Sequence, residues 1–222
     1  MLGGVMHRNP RTNTPLATVL EELQSAAARP FEQARPIPPS VNHSLEFLDY
    51  EREAVFQQEW ICVGREDEIP ANGDFLTHQI AEVPVLVVRQ PDAEIKAFVN
   101  ACAHRFACLV PDDKGSGKRF TCRYHAWTYD TSGQLVRAPY MEMKDGFDVS
   151  RHRHRPLQQS TWEGFIYVTL AENTSTQLGE ALAPLREQVV GRYEMSCYQT
   201  VLRERMEWNA NWKNMIVNFT DS

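Results

Sequence analysis

The chain has 222 residues and a formal net charge of −6, long enough to bury one substantial domain and part of another. Its acidic balance argues against a nucleic-acid partner, because displacing counterions from phosphate needs a basic face. No apolar run approaches the ~20 residues that cross a bilayer, and Met1 to Pro10 lack the cationic start, apolar centre and cleavage site of a secretory signal, so no membrane partner and a cytoplasmic location are expected.

In chain order, a helix is expected over Thr14 to Ala28, capped by Thr14 with Pro15 in its first turn. The breaker-rich Arg35-Pro36-Ile37-Pro38-Pro39-Ser40 follows, so residues 1–43 read as an arm and linker. From Ser44 to Trp60, Leu45, Leu48, Val55, Phe56 and Trp60 recur at roughly helical spacing, predicting an amphipathic helix packed on the domain that follows. Between Asp74 and Val136 the pattern changes to short apolar or alternating runs: Phe75 to Ile80, Val83 to Arg89, Ile95 to Asn100, Arg119 to Cys122, Trp127 to Tyr129 and Gln134 to Val136. Asn72-Gly73, Pro91-Asp92, Lys114-Gly115-Ser116-Gly117 and Thr131-Ser132-Gly133 separate them as turns, which predicts an antiparallel β-rich domain.

Arg151-His152-Arg153-His154-Arg155 sets two histidines on one face of an extended chain. The acidic chain offers no wider basic surface, so packing is the preferred reading over a metal or nucleic-acid patch. Trp162 to Leu170 closes the β domain as a strand, giving it the bounds 44–172 with its leading helix. Thr176 to Arg192 then reads as a helix with Leu178, Leu182, Leu185 and Val189 as its apolar stripe, opening a second domain over 173–222. Within it, Tyr198 to Trp208 is a strand candidate and Asn211 to Phe219 a helix candidate.

Two short clusters carry the chemistry. Cys102-Ala103-His104 and Cys122-Arg123-Tyr124-His125 supply two thiolates and two imidazoles, the ligand set of a Rieske-type 2Fe-2S centre. Residues two apart in extended chain face one side, so Cys102 and His104 can point together into a loop-lined site. If each loop gives its cysteine to the inner iron and its histidine to the outer one, Cys102 and Cys122 hold one metal while His104 and His125 hold the other. Tetrahedral zinc takes the same donor types, but a zinc finger spaces a cysteine pair and then a histidine pair, whereas here each half carries one of each.

Further motifs flank those loops: Phe56-Gln57-Gln58-Glu59-Trp60 with Val63-Gly64-Arg65, the Gly73-Asp74-Phe75 turn, Pro84-Val85-Leu86-Val87-Val88-Arg89, Ala97-Phe98-Val99-Asn100, and Ala126-Trp127-Thr128-Tyr129-Asp130 with Gly133 and Pro139. From about Leu45 onward the chain resembles the alpha (catalytic) subunit of the Rieske non-haem iron oxygenases, the aromatic ring-hydroxylating dioxygenases among them. It departs from that pattern at Phe106, where the family often has glycine, and at Arg123, where it often has proline. Respiratory Rieske proteins brace their loops with a cystine, but the second loop here offers Cys108 no partner, so Cys62, Cys108 and Cys197 are expected as free thiols in a reducing compartment.

The resemblance implies an α+β protein, an antiparallel β-rich Rieske domain followed by the start of a helix-grip α/β catalytic domain. It further implies a Rieske 2Fe-2S cluster and, in the full-length protein, a mononuclear Fe(II) held by two histidines and a carboxylate. Asn211-Trp212-Lys213 and Asn218-Phe219-Thr220-Asp221-Ser222 resemble the beginning of that iron motif, and the chain stops before either histidine. Asp221 matches the acid that bridges the Rieske centre of one subunit to the iron of the next. The implied activity is O2-dependent hydroxylation or demethylation of a small organic substrate, with electrons from a reductase or ferredoxin, in a homotrimer or other homo-oligomer. This portion alone is not expected to turn over. The alternative is a stand-alone Rieske ferredoxin-type carrier, against which the continuation from Leu178 to Ser222 speaks.

Overall fold

The computed structural model describes residues 14–141 and 143–220, which divide into two compact units. One comprises the chain up to Val55 together with the segment from Glu204 onward, and the other runs from Phe56 to Arg203.

In the first unit, α1 (Leu16–Ala27) begins after Pro15, which occupies the cap position without a side-chain cap. Pro15, not the expected Thr14, thus holds the cap position, and the Thr14 carbonyl accepts the Ser44 hydroxyl at 2.6 Å. α2 (Ser40–His43) and α3 (Leu45–Glu51) follow. Ser44 caps α3 by accepting the Phe47 N–H at 3.2 Å, satisfying one of the amides that a helix start leaves without a partner. The predicted single helix to Trp60 ends earlier, passing through a wider turn at Arg52–Phe56. Val19, Val41 and Phe47 form the small core, with Leu16, Leu20 and Leu23 packed on it.

Among the described residues the second unit holds ten strands. These are β1 (Ile61–Arg65), β2 (Asp74–Ile80), β3 (Val83–Arg89), β4 (Ile95–Val99), β5 (Lys114–Ser116), β6 (Arg119–Thr121), β7 (Thr128–Asp130), β8 (Leu135–Arg137), β9 (Pro156–Trp162) and β10 (Phe165–Thr169). They form a seven-stranded sheet in the order β1-β10-β9-β4-β3-β2-β5 and a three-stranded sheet β6-β7-β8, antiparallel throughout. The antiparallel β-rich reading therefore holds.

The unbroken apolar run of β3 has a direct cause. Val85 and Val87 belong to one core, with Val63, Ile69, Leu76, Ile80, Ile166 and Val168, while Leu86 and Val88 enter another on the opposite face. A strand buried on both faces loses the usual alternation. The second core also contains Phe75, Phe98, Leu109, Phe120, Trp127, Tyr129, Leu135, Cys102 and Cys122, so the large sheet and the three-stranded sheet share it with both candidate thiols. Gly133 serves this junction at φ +82°, where a Cβ would meet the Phe98 ring at 2.6 Å.

Two other expectations are corrected. The helix over Thr176 to Arg192 breaks into short turns, Leu178–Ala181 and Ala183–Leu185 among them. Pro184 has no N–H to continue the ladder, and only Leu178 of the supposed stripe is buried. Tyr198 to Trp208 forms no strand. Side chains strap its first half in place of a ladder: Arg65 donates to the carbonyls of Met195 and Tyr198 at 3.0 and 2.8 Å, and Arg203 pairs with Glu68 at 2.9 Å. The helix expected over Asn211 to Phe219 is present as Trp212–Thr220. Among the described residues no helix is long and apolar enough to cross a membrane.

The Arg151 to Arg155 segment alternates as an extended chain should, with the arginines exposed and His154 buried. His152 stacks on Phe147 at 4.7 Å and 15°. Burial pushes the His154 imidazole down to about 4, against the opposing effect of its hydrogen bond to the Ala101 carbonyl. The folded protein thus keeps His154 neutral while the unfolded chain takes up a proton near pH ~6.5. Stability from this group is complete above that value and is lost as the pH falls toward 4. Between pH 7 and pH 5 the loss is expected to be about 2 kcal/mol. Urea unfolding at the two pH values should show it, and His154→Phe should remove that part of the difference.

Candidate metal centre

The four candidate donors lie on two loops that are copies of one turn. In the first, the Cys102 N–H donates to the Ala107 carbonyl at 2.9 Å and the Phe106 N–H to the Cys102 carbonyl at 2.8 Å. In the second, the Cys122 N–H donates to Trp127 at 2.8 Å and the Ala126 N–H to Cys122 at 3.0 Å. The fourth residue after each cysteine is left-handed, with φ +56° at Phe106 and +57° at Ala126. Such a conformation costs a side-chain-bearing residue ~1–2 kcal/mol, a cost that glycine would avoid. Phe106 accepts that cost and is itself 82% exposed.

This turn carries each cysteine inward and lets its histidine stay near the rim. Cys102 and Cys122 are 2% and 3% exposed. Burial pushes the Cys102 thiol up, the Tyr129 hydroxyl opposes this, and the nearby Cys122 adds to it. The rings of His104 and His125 meet edge to face with centroids 4.6 Å apart. His104 stacks flat on Trp127 at 4.9 Å and 10°, while Tyr124 covers His125 at 3.8 Å. Desolvation pushes the His104 imidazole down, and His125 and Arg105 act in the same direction.

These donors fit a two-iron cluster. All five cysteines are free thiols, and the Nδ1 atom of His104 is buried without a hydrogen-bond partner. An unsatisfied buried nitrogen costs ~1–3 kcal/mol, a cost that ligation would relieve. Among the described residues no three His, Cys, Asp or Glu side chains gather as they would around a single ion. The donors instead come as a thiol pair and an imidazole pair. Asp221 lies outside the described residues.

Sequence reasoning gave neither Tyr129 nor His154 a part in the site. The Tyr129 hydroxyl lies 3.3 Å from Cys102 Sγ and accepts the Ala103 N–H at 3.0 Å. Burial drives its phenol well above the ordinary range, with the Cys102 contact as the next cause. The available signal was Trp127 and Tyr129 two apart on a strand, which puts both side chains on one face.

Residues 59–160 match the Rieske [2Fe-2S] domain. The chain is 34% identical over 206 residues to the glycine betaine monooxygenase oxygenase subunit of Pseudomonas aeruginosa, a match covering 91% of this chain and 47% of that protein. It is 39% identical over 155 residues to the benzene 1,2-dioxygenase subunit alpha of Pseudomonas putida, covering 68% and 34% respectively. Among solved structures, the quaternary ammonium Rieske monooxygenase CntA in complex with an inhibitor is similar with a TM-score of 0.76 and 28% identity, over 82% of this chain and 51% of that one. The chain thus spans about half the length, or less, of the relatives it matches.

Proposed function

We propose that this chain, which belongs to the Rieske non-haem iron oxygenase alpha subunits, binds its 2Fe-2S cluster through Cys102 and Cys122 on the inner iron and His104 and His125 on the outer one. When bound, such a cluster supplies one-electron transfer at a potential of roughly −150 to +300 mV. The observation that carries the assignment is the pair of twin loops, which bury two thiols side by side and set two imidazoles in contact above them. The chain's own residues do the rest. Tyr129 and the loop amides hydrogen-bond around the first cysteine, Trp127 fixes the plane of the His104 ring, and the apolar core beneath excludes water from the sulfurs.

In the whole protein, electrons enter from a reductase or ferredoxin and continue to a mononuclear Fe(II) in a helix-grip catalytic domain whose beginning is residues 173–222. Residues 1–43 serve as an arm, and 44–172 form the Rieske domain with its leading helix. Asp221 bridges the Rieske centre to the iron of an adjacent subunit in a homotrimer or similar assembly, in the cytoplasm. The reaction is O2-dependent hydroxylation or demethylation of a small organic molecule. The match to the glycine betaine enzyme extends over 91% of the chain against 68% for the benzene enzyme, which favours a quaternary amine as its substrate.

Anaerobic purification of the chain, with electron paramagnetic resonance after reduction and iron and sulfide analysis, tests the cluster reading. A reduced Rieske signal with a full complement of iron and sulfide is the expected result. A colourless protein carrying zinc would overturn it.

A further inference from the structure

Tyr129 and His154 form a layer beneath the first loop. Since the Tyr129 oxygen accepts the Ala103 N–H, its own hydrogen is free for Cys102 Sγ at 3.3 Å. A ligating thiolate has no proton to give, so the phenol must be the donor. Against the Tyr129 ring lies the His154 imidazole, with centroids 3.9 Å apart and planes inclined at 40°.

His154 is anchored at both ends. Its backbone N–H donates to the Gly133 carbonyl at 2.8 Å, and its Nδ1 lies 3.0 Å from the carbonyl of Ala101, the residue preceding Cys102. A carbonyl only accepts, so Nδ1 carries the ring proton and Nε2 is a bare lone pair. That Nε2 is buried without a partner, in a residue 1% exposed. A hydrocarbon side chain here would leave no unsatisfied nitrogen, but it would also leave the Ala101 carbonyl unheld. The imidazole's distinctive contribution is therefore to grip the first loop from below while filling the space beside Tyr129.

We propose that His154 is a positioning residue for the cluster, holding the Ala101 carbonyl and the flank of the Tyr129 ring so that the phenol O–H stays aimed at Cys102 Sγ, and thereby setting the cluster's reduction potential. The inference rests on Cys102 being a cluster ligand. A hydrogen bond to a ligating sulfur favours the more negative, reduced state, so disturbing it lowers the potential.

The test is a redox titration of the full chain carrying its cluster, followed by electron paramagnetic resonance, with thermal unfolding measured alongside. Tyr129→Phe is expected to weaken reduction about tenfold, ~59 mV for one electron. His154→Phe, which keeps a ring but loses the donor, should shift the equilibrium at least threefold in the same direction, and the double variant should match Tyr129→Phe alone. His154→Asn, which retains a short N–H donor, should stay within twofold of the wild type. A His154→Phe protein of unchanged potential but lower melting temperature would overturn the inference, and so would additive shifts in the double variant. If His154→Phe assembles no cluster, the asparagine variant decides. A native potential there supports the positioning role, and a shift as large as that of Tyr129→Phe overturns it. A wild-type chain without a Rieske signal would instead remove the premise itself.

Discussion

Cys122→Ala is expected to abolish the Rieske signal and reduce bound iron from a full cluster complement to near zero. In this type of centre each iron takes two protein ligands besides the shared sulfides, so removing one thiolate leaves an iron under-coordinated. The exposed Cys62 and Cys197 offer no buried replacement for Cys122, which is closed into the core with Trp127 and Tyr129. Cys102→Ala should behave alike. Alanine substitution of Cys62 or Cys197 provides the control and should leave iron, sulfide and spectrum unchanged. Full iron in Cys122→Ala would refute the ligand assignment outright, whereas loss in the controls would point to general instability.

The contrast among these cysteines shows what was legible in the sequence. The placing of each cysteine and its histidine on one loop was, because both halves are local: a cysteine and a histidine two or three residues apart must share a loop, whatever the rest of the chain does. The strand Val83–Arg89 was equally plain, since burial on both faces writes an unbroken apolar run. β9 was missed because Gln158, Gln159, Ser160 and Thr161 carry no such run, although its backbone pairs with β4 and β10. The segment Tyr198 to Trp208 misled in the opposite direction. Its composition suits a strand, yet the described residues offer it no ladder, and Val201 and Leu202 remain 96% and 71% exposed. The support beneath the site was out of reach for a different reason. The contact between His154 and Ala101 joins residues 53 apart in the chain, and only the folded register of β4 and β9 brings them together. Alternation correctly placed the histidines of the Arg151 to Arg155 segment on one face, but it says nothing about what that face meets.

Glu51→Ala is expected to destabilise the helical unit by ~3–5 kcal/mol, the range for removing one partner of a buried ion pair. Trp212 and Lys213, from a motif the sequence singled out, converge on the end of α3. Lys213 Nζ lies 2.7 Å from both Glu51 carboxylate oxygens, and Trp212 donates its indole N–H to the same carboxylate at 3.2 Å. The side chains of Glu51 and Lys213 are only 7% and 18% exposed, so water replaces little of what the substitution removes. The ammonium also sits 5.3 Å from the Phe47 ring centroid, within cation–π range, but a ring face cannot stand in for a bidentate carboxylate. Far-UV circular dichroism during urea unfolding should therefore show a markedly lower midpoint for Glu51→Ala. The double variant Glu51→Leu with Lys213→Met should recover most of the loss, because an apolar pair of similar volume carries no stranded charge. Should the double variant prove as unstable as the single one, the cost lies in packing or in the Trp212 hydrogen bond and not in the uncompensated ammonium.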